Sequence, residues 1–338
     1  MLGPTERALL RIAQGYQLSQ ALYVAAKLGV ADVLAADALD VNAIADVVGA
    51  RSAELRRVLR ALVAAGVFTE LDDGRFALND AAAGLQADAP ARTRDVVINF
   101  GEEMYRAFGE LLHTVRTGET AFEAVYGQPL FDYYASHPEV EASGSARMTA
   151  RSLPVPADLV ASGLVDGVAT ITDVGGGTGT VIAALLRAHQ DLRAVLYERP
   201  TVLPLARDYL SAHGVVDRCE VVVGDFFVSV PEGADLYLLK SVLHDWDDDR
   251  CLTILRNCRA GMETTARLAI VEFVLPERMT EDPGLLPAAL LDLIMLAYAG
   301  GRERTETEFR SLLEQAGLRL ERASALTSGP HLLQAVVA

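Results

Sequence analysis

The chain has 338 residues, 51% of them hydrophobic and 22% charged, with a formal charge of −16. This balance excludes a disordered chain and provides for two or more domains around a large core. The acidity argues against a general binder of nucleic acid or of anionic membrane surfaces.

Residues 5–36 have a helical pattern, with Leu9, Leu10, Ile12 and Ala13 followed by Leu18, Ala21, Leu22, Ala25 and Leu28. Apolar positions fall on more than one face, so these helices should pack on several neighbours, and a dimer interface is preferred to an ordinary core. Glu6, Arg7 and Arg11 leave no signal-peptide apolar core, so a cytoplasmic protein is expected. Residues 39–79 read as a winged helix. One helix runs from Val41 to Val48, Gly49 turns the chain, and a second runs from Ala53 to Ala65. A hairpin then turns at Asp72-Asp73-Gly74. The second helix carries Arg51, Arg56, Arg57 and Arg60, as a DNA reader would, but the wing carries Glu70, Asp72 and Asp73, the wrong sign for phosphate. A scaffold or dimerisation module is therefore favoured over DNA binding. Residues 84–155 are mostly helical, with a break at Arg116-Thr-Gly-Glu-Thr. Phe122, Tyr126, Phe131, Tyr133 and Tyr134 follow at a spacing that usually means core.

From residue 169 onward strands and helices alternate, the pattern of a doubly wound, largely parallel sheet. Strands are expected at 194–198, 220–225, 236–240, 268–274, 318–323 and 332–337, after a first one that ends at Val174. Asp173-Val-Gly175-Gly-Gly177-Thr-Gly179 joins that strand to a helix over Thr180–Ala188. A dinucleotide fingerprint would need its third glycine at residue 180, which is threonine, and no P-loop Lys follows. Asp173 beside the glycines disfavours a phosphate and suits a cationic ligand. Leu285 to Ala299 is the most apolar run, but Pro287 and Asp292 within it point to a buried helix, not a membrane span. Cys219, Cys251 and Cys258 have neither metal-ligand nor disulfide-framework spacing and fit a reducing compartment.

Several strand ends carry residues suited to chemistry. Glu198 ends the second strand, where a carboxylate can take both hydroxyls of a ribose; a salt bridge with Arg199 is the plainer alternative. Gly224-Asp225-Phe226-Phe227 ends the third; Asp225 suits an adenine amino group or a turn cap, and Phe226 suits the ring. After the fourth strand, His244 and Asp245 stand at the ligand-binding edge, where a histidine can take a proton from a hydroxyl. Glu272, in an apolar strand, and Glu303, in Gly-Arg-Glu-Arg-Thr, are the carboxylates able to orient it. Asp247, Asp248 and Asp249 read as the charged start of a helix.

These motifs occur in the order found in S-adenosylmethionine-dependent O-methyltransferases of the caffeate/hydroxyneurosporene type, which the chain resembles over nearly its whole length. Bacterial members tailor polyketide and other aromatic natural products. The resemblance implies a Rossmann-like domain over 158–338, a helical segment over 101–157 that adds to the acceptor pocket, and a helical and winged-helix dimerisation domain over 1–100. Within the sheet, a C-terminal strand would be antiparallel. Gly175 and Gly177 would line the methionine part of the cofactor, with Asp173 beside them. Glu198, where the family usually has Asp, would hold the ribose; Gly224, Asp225 and Phe226 would hold the adenine. Lys240 and Trp246 fall in the segment closing over the cofactor. His244 would be the general base, flanked by Glu272 and Glu303. Met148, Asp245, Tyr105 and Met295 would contact the acceptor. A Trp common near Tyr105 is absent, so Tyr105 or Phe108 suggests a differently shaped pocket. The expectation is a homodimeric enzyme that uses S-adenosylmethionine, releases S-adenosylhomocysteine and needs no metal, nucleic acid or membrane. Two rivals stand: the same fold retooled for hydroxylation or pericyclic chemistry, and a winged-helix DNA-binding regulator.

Overall fold

The computed structural model describes residues 3–90 and 92–338. The chain forms two compact units, Met1–Arg106 and Ala107–Ala338.

In the N-terminal unit the helical stretch is divided into Pro4–Ala13, Gly15–Lys27 and Val30–Val33, with Gly29 in the left-handed region before the third. The first helix has no buried residue: Leu9, Leu10 and Ile12 are all exposed. Asp40 caps the helix Val41–Val48 by accepting from the amides of Asn42 and Ala43, and Gly49 ends it at φ 67°. Helix Ser52–Ala64 packs Leu55, Leu59 and Leu62 with Ile44, Phe68 and Phe76. Strands β1 (Thr69–Glu70) and β2 (Phe76–Ala77) pair antiparallel, and a bridge from Leu39 to Phe76 completes the wing. Glu70 of the wing lies 3.5 Å from Arg56 and 3.6 Å from Arg60.

The larger unit is built on a seven-stranded sheet. Its strands are β3 (Thr170–Val174), β4 (Arg193–Glu198), β5 (Cys219–Val223), β6 (Leu236–Lys240) and β7 (Arg267–Glu272). Two short strands outside it, β8 (Val274–Leu275) and β9 (Arg304–Thr305), precede its last members, β10 (Leu318–Ala325) and β11 (His331–Val337). The spatial order is β10-β11-β7-β6-β3-β4-β5, and only β11 runs against the rest. Alternate residues of each strand serve opposite faces. Tyr237, Leu239, Leu268 and Ile270 meet helices Asp248–Gly261 and Glu306–Gln315. Leu236, Leu238, Ala269 and Val271 share the other core with helices Val155–Ala161, Thr180–Ala188 and Leu203–Ala212. β3 has β4 on one side and β6 on the other, so the strand order reverses there and opens a crevice at the carboxyl ends.

Three expectations from the sequence need correction. The third sheet strand stops at Val223, two residues short, because Asp225 turns back on the amide of Phe227. The strand expected to reach Val274 ends at Glu272; Val274 and Leu275 leave the sheet to pair in parallel with Arg304 and Thr305. The apolar run after residue 285 is not wholly buried. Leu286, Leu290, Leu293 and Leu296 form an exposed row, while Ala288, Leu291, Met295 and Tyr298 face inward.

Candidate active site

A cavity of about 650 Å³ opens at the carboxyl ends of β3, β4, β5 and β6. Asp173, Gly175, Gly177, Glu198, Gly224, Asp225, Phe226, Lys240 and Trp246 all line it. The β3 strand delivers Asp173 buried at its end, and the glycines carry the chain over it, Gly175 at φ 71° and Gly177 at φ 59°. Gly224 is a close approach of another kind: a Cβ there would collide with the Tyr197 ring. Glu198 accepts from the amides of Gly177 at 3.0 Å and Arg199 at 2.8 Å, which fixes both its oxygens at the crevice. The Arg199 guanidinium is 3.6 Å from Glu198, so the plainer salt bridge also exists. Asp225 caps the turn, accepting from the amide of Phe227 at 2.8 Å, and also lines the cavity.

Burial pushes the Asp173 carboxyl up to about 7; Lys240 opposes the shift and Glu198 adds to it. A fixed positive charge in the cavity would favour the carboxylate, so the pocket is matched to a cation. Phe131 stacks on Trp246 at 5.0 Å, Phe227 meets the same indole edge-on at 4.8 Å, and Arg250 lies 5.0 Å over it. Three carboxylates, a glycine cradle and this aromatic wall fit an adenosine bearing a cationic tail.

A further set of contacts has no local signal in the sequence. Helix Pro138–Ser152 brings Ser152 to Lys240, Thr149 to Thr178, and Glu141 to both Arg199 and Thr201. Only Met148 of this helix was anticipated, and it too lines the cavity, as does Asp245. Helical spacing places Phe131 with the core aromatics, yet it faces the cavity. Tyr105 belongs to the N-terminal unit and is exposed; Met295 is buried in the turn of π-helix Met295–Ala299. Neither is among the residues lining this cavity.

His244, Glu272 and Glu303 come together from three separate elements. His244 sits in the short 3-10 turn Leu243–Asp245 after β6. Glu272 ends the neighbouring β7, and the β8–β9 pairing carries Glu303 alongside it. Nδ1 of His244 lies 2.7 Å from Glu303 and 3.5 Å from Glu272, with Asp245 3.6 Å from Nε2. Glu272 turns its other oxygen to the backbone, accepting from the amides of Val242, Leu243 and His244 at 2.9, 2.9 and 3.4 Å. It is thus an anchor for the loop as much as a flank for the ring. All three side chains are buried, and Nε2 of His244 has no hydrogen-bond partner among the described residues. Burial pulls the imidazole pKa down, but Glu272, Asp245 and Glu303 outweigh it and raise it to about 10. Glu272 is itself raised, first by burial and then by Glu303, against the pull of His244 and the loop amides.

A family model described as an O-methyltransferase domain matches residues 108–319, and one described as an O-methyltransferase dimerisation domain matches residues 10–88. The chain belongs to the O-methyltransferase family. It is 41% identical over 332 residues to the phenazine O-methyltransferase PhzM of Lysobacter antibioticus, covering 98% of this chain and 96% of that protein. The structure of the mitomycin 7-O-methyltransferase MmcR superposes with a TM-score of 0.93 at 36% identity, covering 99% and 98% of the two chains. That of the O-methyltransferase NcsB1 from neocarzinostatin biosynthesis, holding S-adenosylmethionine and a naphthoic acid, gives 0.81 at 32% identity, covering 95% and 96%. The enzyme is a methyltransferase of the S-adenosylmethionine-dependent class, with a mostly parallel catalytic sheet and a helical dimerisation domain. Among the described residues, no helix is long and apolar enough to cross a membrane.

Proposed function

We propose that the enzyme methylates a phenolic or enolic hydroxyl of an aromatic natural product, with His244 as the general base. One observation carries this reading: Glu303 takes Nδ1 of a buried imidazole and leaves Nε2 without a hydrogen bond among the described residues. In the neutral imidazole, with Nδ1–H donated to the carboxylate, Nε2 is the nitrogen left to take a proton from an acceptor hydroxyl. When bound in the cavity, S-adenosylmethionine supplies the methyl group. Gly175, Gly177 and Asp173 would hold its amino-acid part, Glu198 its ribose, and Asp225 and Phe226 its adenine, with Lys240 and Trp246 closing over it.

The rest is done by this chain's side chains. Nε2 takes the hydroxyl proton, and the imidazolium it forms is stabilised by Glu303, Glu272 and Asp245. A phenol has a pKa of about 10, the same range as this imidazolium, so the transfer runs between matched groups. At neutral pH the resting imidazole already holds a proton. The reacting complex therefore carries one proton fewer than the resting enzyme plus a neutral phenol, and kcat/KM should climb as pH rises towards 10.

Several features support the other parts of the reading. Phenazine, mitomycin and naphthoate relatives point to a fused or substituted aromatic acceptor from secondary metabolism, in keeping with antibiotic biosynthesis. Met148 and Asp245, on the cavity wall, are the residues proposed to touch it; Tyr105 and Met295 do not line that wall. The segment up to residue 157 would shape that side of the pocket. Leu9, Leu10, Ile12, Tyr16 and Leu18, all exposed in a dimerisation domain, fit a homodimer. Arg56 and Arg60 are held by Glu70, which weighs against the winged helix as a DNA reader. Three free, buried cysteines fit a reducing cytoplasm.

The test is transfer of labelled methyl from S-adenosylmethionine to a panel of hydroxyphenazines, hydroxynaphthoates and simple phenols, with His244→Ala alongside. Label on oxygen that disappears in the variant supports the reading. Cofactor binding with no labelled product from any acceptor favours a retooled site.

A further inference from the structure

The loop that carries His244 is gripped from two sides. Glu272 takes its amides, as described above. Its carbonyls are taken by Arg304, a fully buried side chain one residue beyond Glu303. Nη1 of Arg304 donates to the Leu243 carbonyl at 3.0 Å and to the Arg302 carbonyl at 3.4 Å. Nη2 donates to the Trp246 carbonyl at 2.8 Å and to Asp248 at 2.8 Å, and Nε donates to Asp248 at 3.0 Å. Every N–H of the guanidinium thus has an acceptor, and the acceptors lie on both sides of His244 in the chain. Gly301 completes the grip, since a Cβ there would collide with the backbone of His244, Asp245 and Trp246. Two consecutive residues at the start of β9 therefore supply the ring's partner, Glu303, just before the strand, and the loop's clamp, Arg304, as its first residue.

We propose that Arg304 is a positioning residue for methyl transfer, fixing the 242–248 loop so that the His244 imidazole stays in register with Glu303 and the acceptor hydroxyl. This rests on His244 being the base. A lysine cannot replace it, because one ammonium does not span two carbonyls and a carboxylate in the fixed geometry of a guanidinium fork. Arg304 does not line the cavity and holds the loop by its carbonyls, so its effect passes through the loop. Displacing a reacting group by about 1 Å can cost on the order of 10²-fold, which sets the scale.

The experiment is a double-mutant cycle. Arg304→Ala and Arg304→Lys are assayed alone and on a His244→Ala background, with S-adenosylhomocysteine affinity measured by calorimetry. Arg304→Ala should lower kcat by roughly ten- to a hundredfold, leaving acceptor KM and S-adenosylhomocysteine affinity within about twofold. Added guanidinium should restore part of the loss, and Arg304→Lys should stay impaired. On the His244→Ala background the same change should cost almost nothing. An equal loss on both backgrounds, or a wild-type kcat in Arg304→Ala, overturns the proposal. Full activity in His244→Ala alone would instead remove the base assignment beneath it. Should Arg304→Ala lose S-adenosylhomocysteine binding altogether, Asp248→Asn decides, because it removes the carboxylate partner at a half-exposed site. A several-fold fall in kcat that vanishes on the His244→Ala background supports the clamp, and an unchanged kcat refutes it.

Discussion

Glu198 and Asp225 face the cavity from the ends of the sheet, each steadied by neighbouring amides, and remain available to a ligand. Glu272 and Glu303 are buried and already committed, one to a loop backbone and the other to an imidazole. The same functional group serves two tasks, and access to the cavity separates them: Glu198 is itself buried but lines the cavity, and Glu272 and Glu303 do not. At the cavity a carboxylate must exchange one partner for another as ligand enters. In the cluster a carboxylate must not move, because the direction of Nε2 depends on it. The energetic consequences differ accordingly: losing a cavity carboxylate costs affinity, and losing a buried one costs orientation and the fold around it.

The largest effect expected on either side is that of His244→Ala, which should lower kcat by about 10²–10⁴-fold while cofactor binding, measured by calorimetry, is retained. Loss of cofactor binding in that variant would erase the distinction between the two regions. Next is Glu272→Ala. It strands the amides of Val242, Leu243 and His244, each at about 1–3 kcal/mol when buried and unsatisfied, so thermal unfolding should show a clear drop together with lost turnover. Glu303→Gln keeps a hydrogen-bond acceptor for Nδ1 but removes a charge that raises the imidazole pKa. Its rising pH–rate limb should move to lower pH with little change in melting temperature. Glu198→Gln should weaken cofactor binding by roughly ten- to a hundredfold and leave stability near wild type. The buried cluster also gives stability a pH dependence. The His244 pKa is raised in the folded state from 6.5 to about 10, so its contribution is complete below pH 6.5 and is lost as pH rises through 10. Comparing melting temperatures of wild type and His244→Ala across that window isolates it.

The cavity was largely legible in the sequence, and the cluster much less so. Asp173, the glycines, Glu198 and Asp225 lie at strand ends recognisable from local pattern, and a doubly wound sheet brings strand ends together. His244, Glu272 and Glu303 are spread over about sixty residues, and no local pattern fixes their distances. Their association came through the family resemblance, and their distances follow from β7 ending early and β8 pairing with β9. Contacts from helix Pro138–Ser152 were invisible because its sequence, with low apolar content and no clear stripe, does not show which face turns to the sheet. The aromatic stretch was ambiguous for a related reason: helical spacing cannot separate Phe122, which is buried, from Phe131, which faces the cavity. The leucine row of residues 286–296 was misjudged because apolar composition does not reveal which side is covered.

The central claim is that His244 removes the acceptor proton. The most direct measurement is the single-turnover rate of methyl transfer at pH 7, for wild type and His244→Ala, across phenolic acceptors of one ring skeleton with graded acidity. Wild type should depend on acidity less steeply than the variant. The variant should be slowest with the least acidic phenol and approach wild type with one already ionised at pH 7. Equal rates for variant and wild type with a phenol of pKa about 10 would contradict the account.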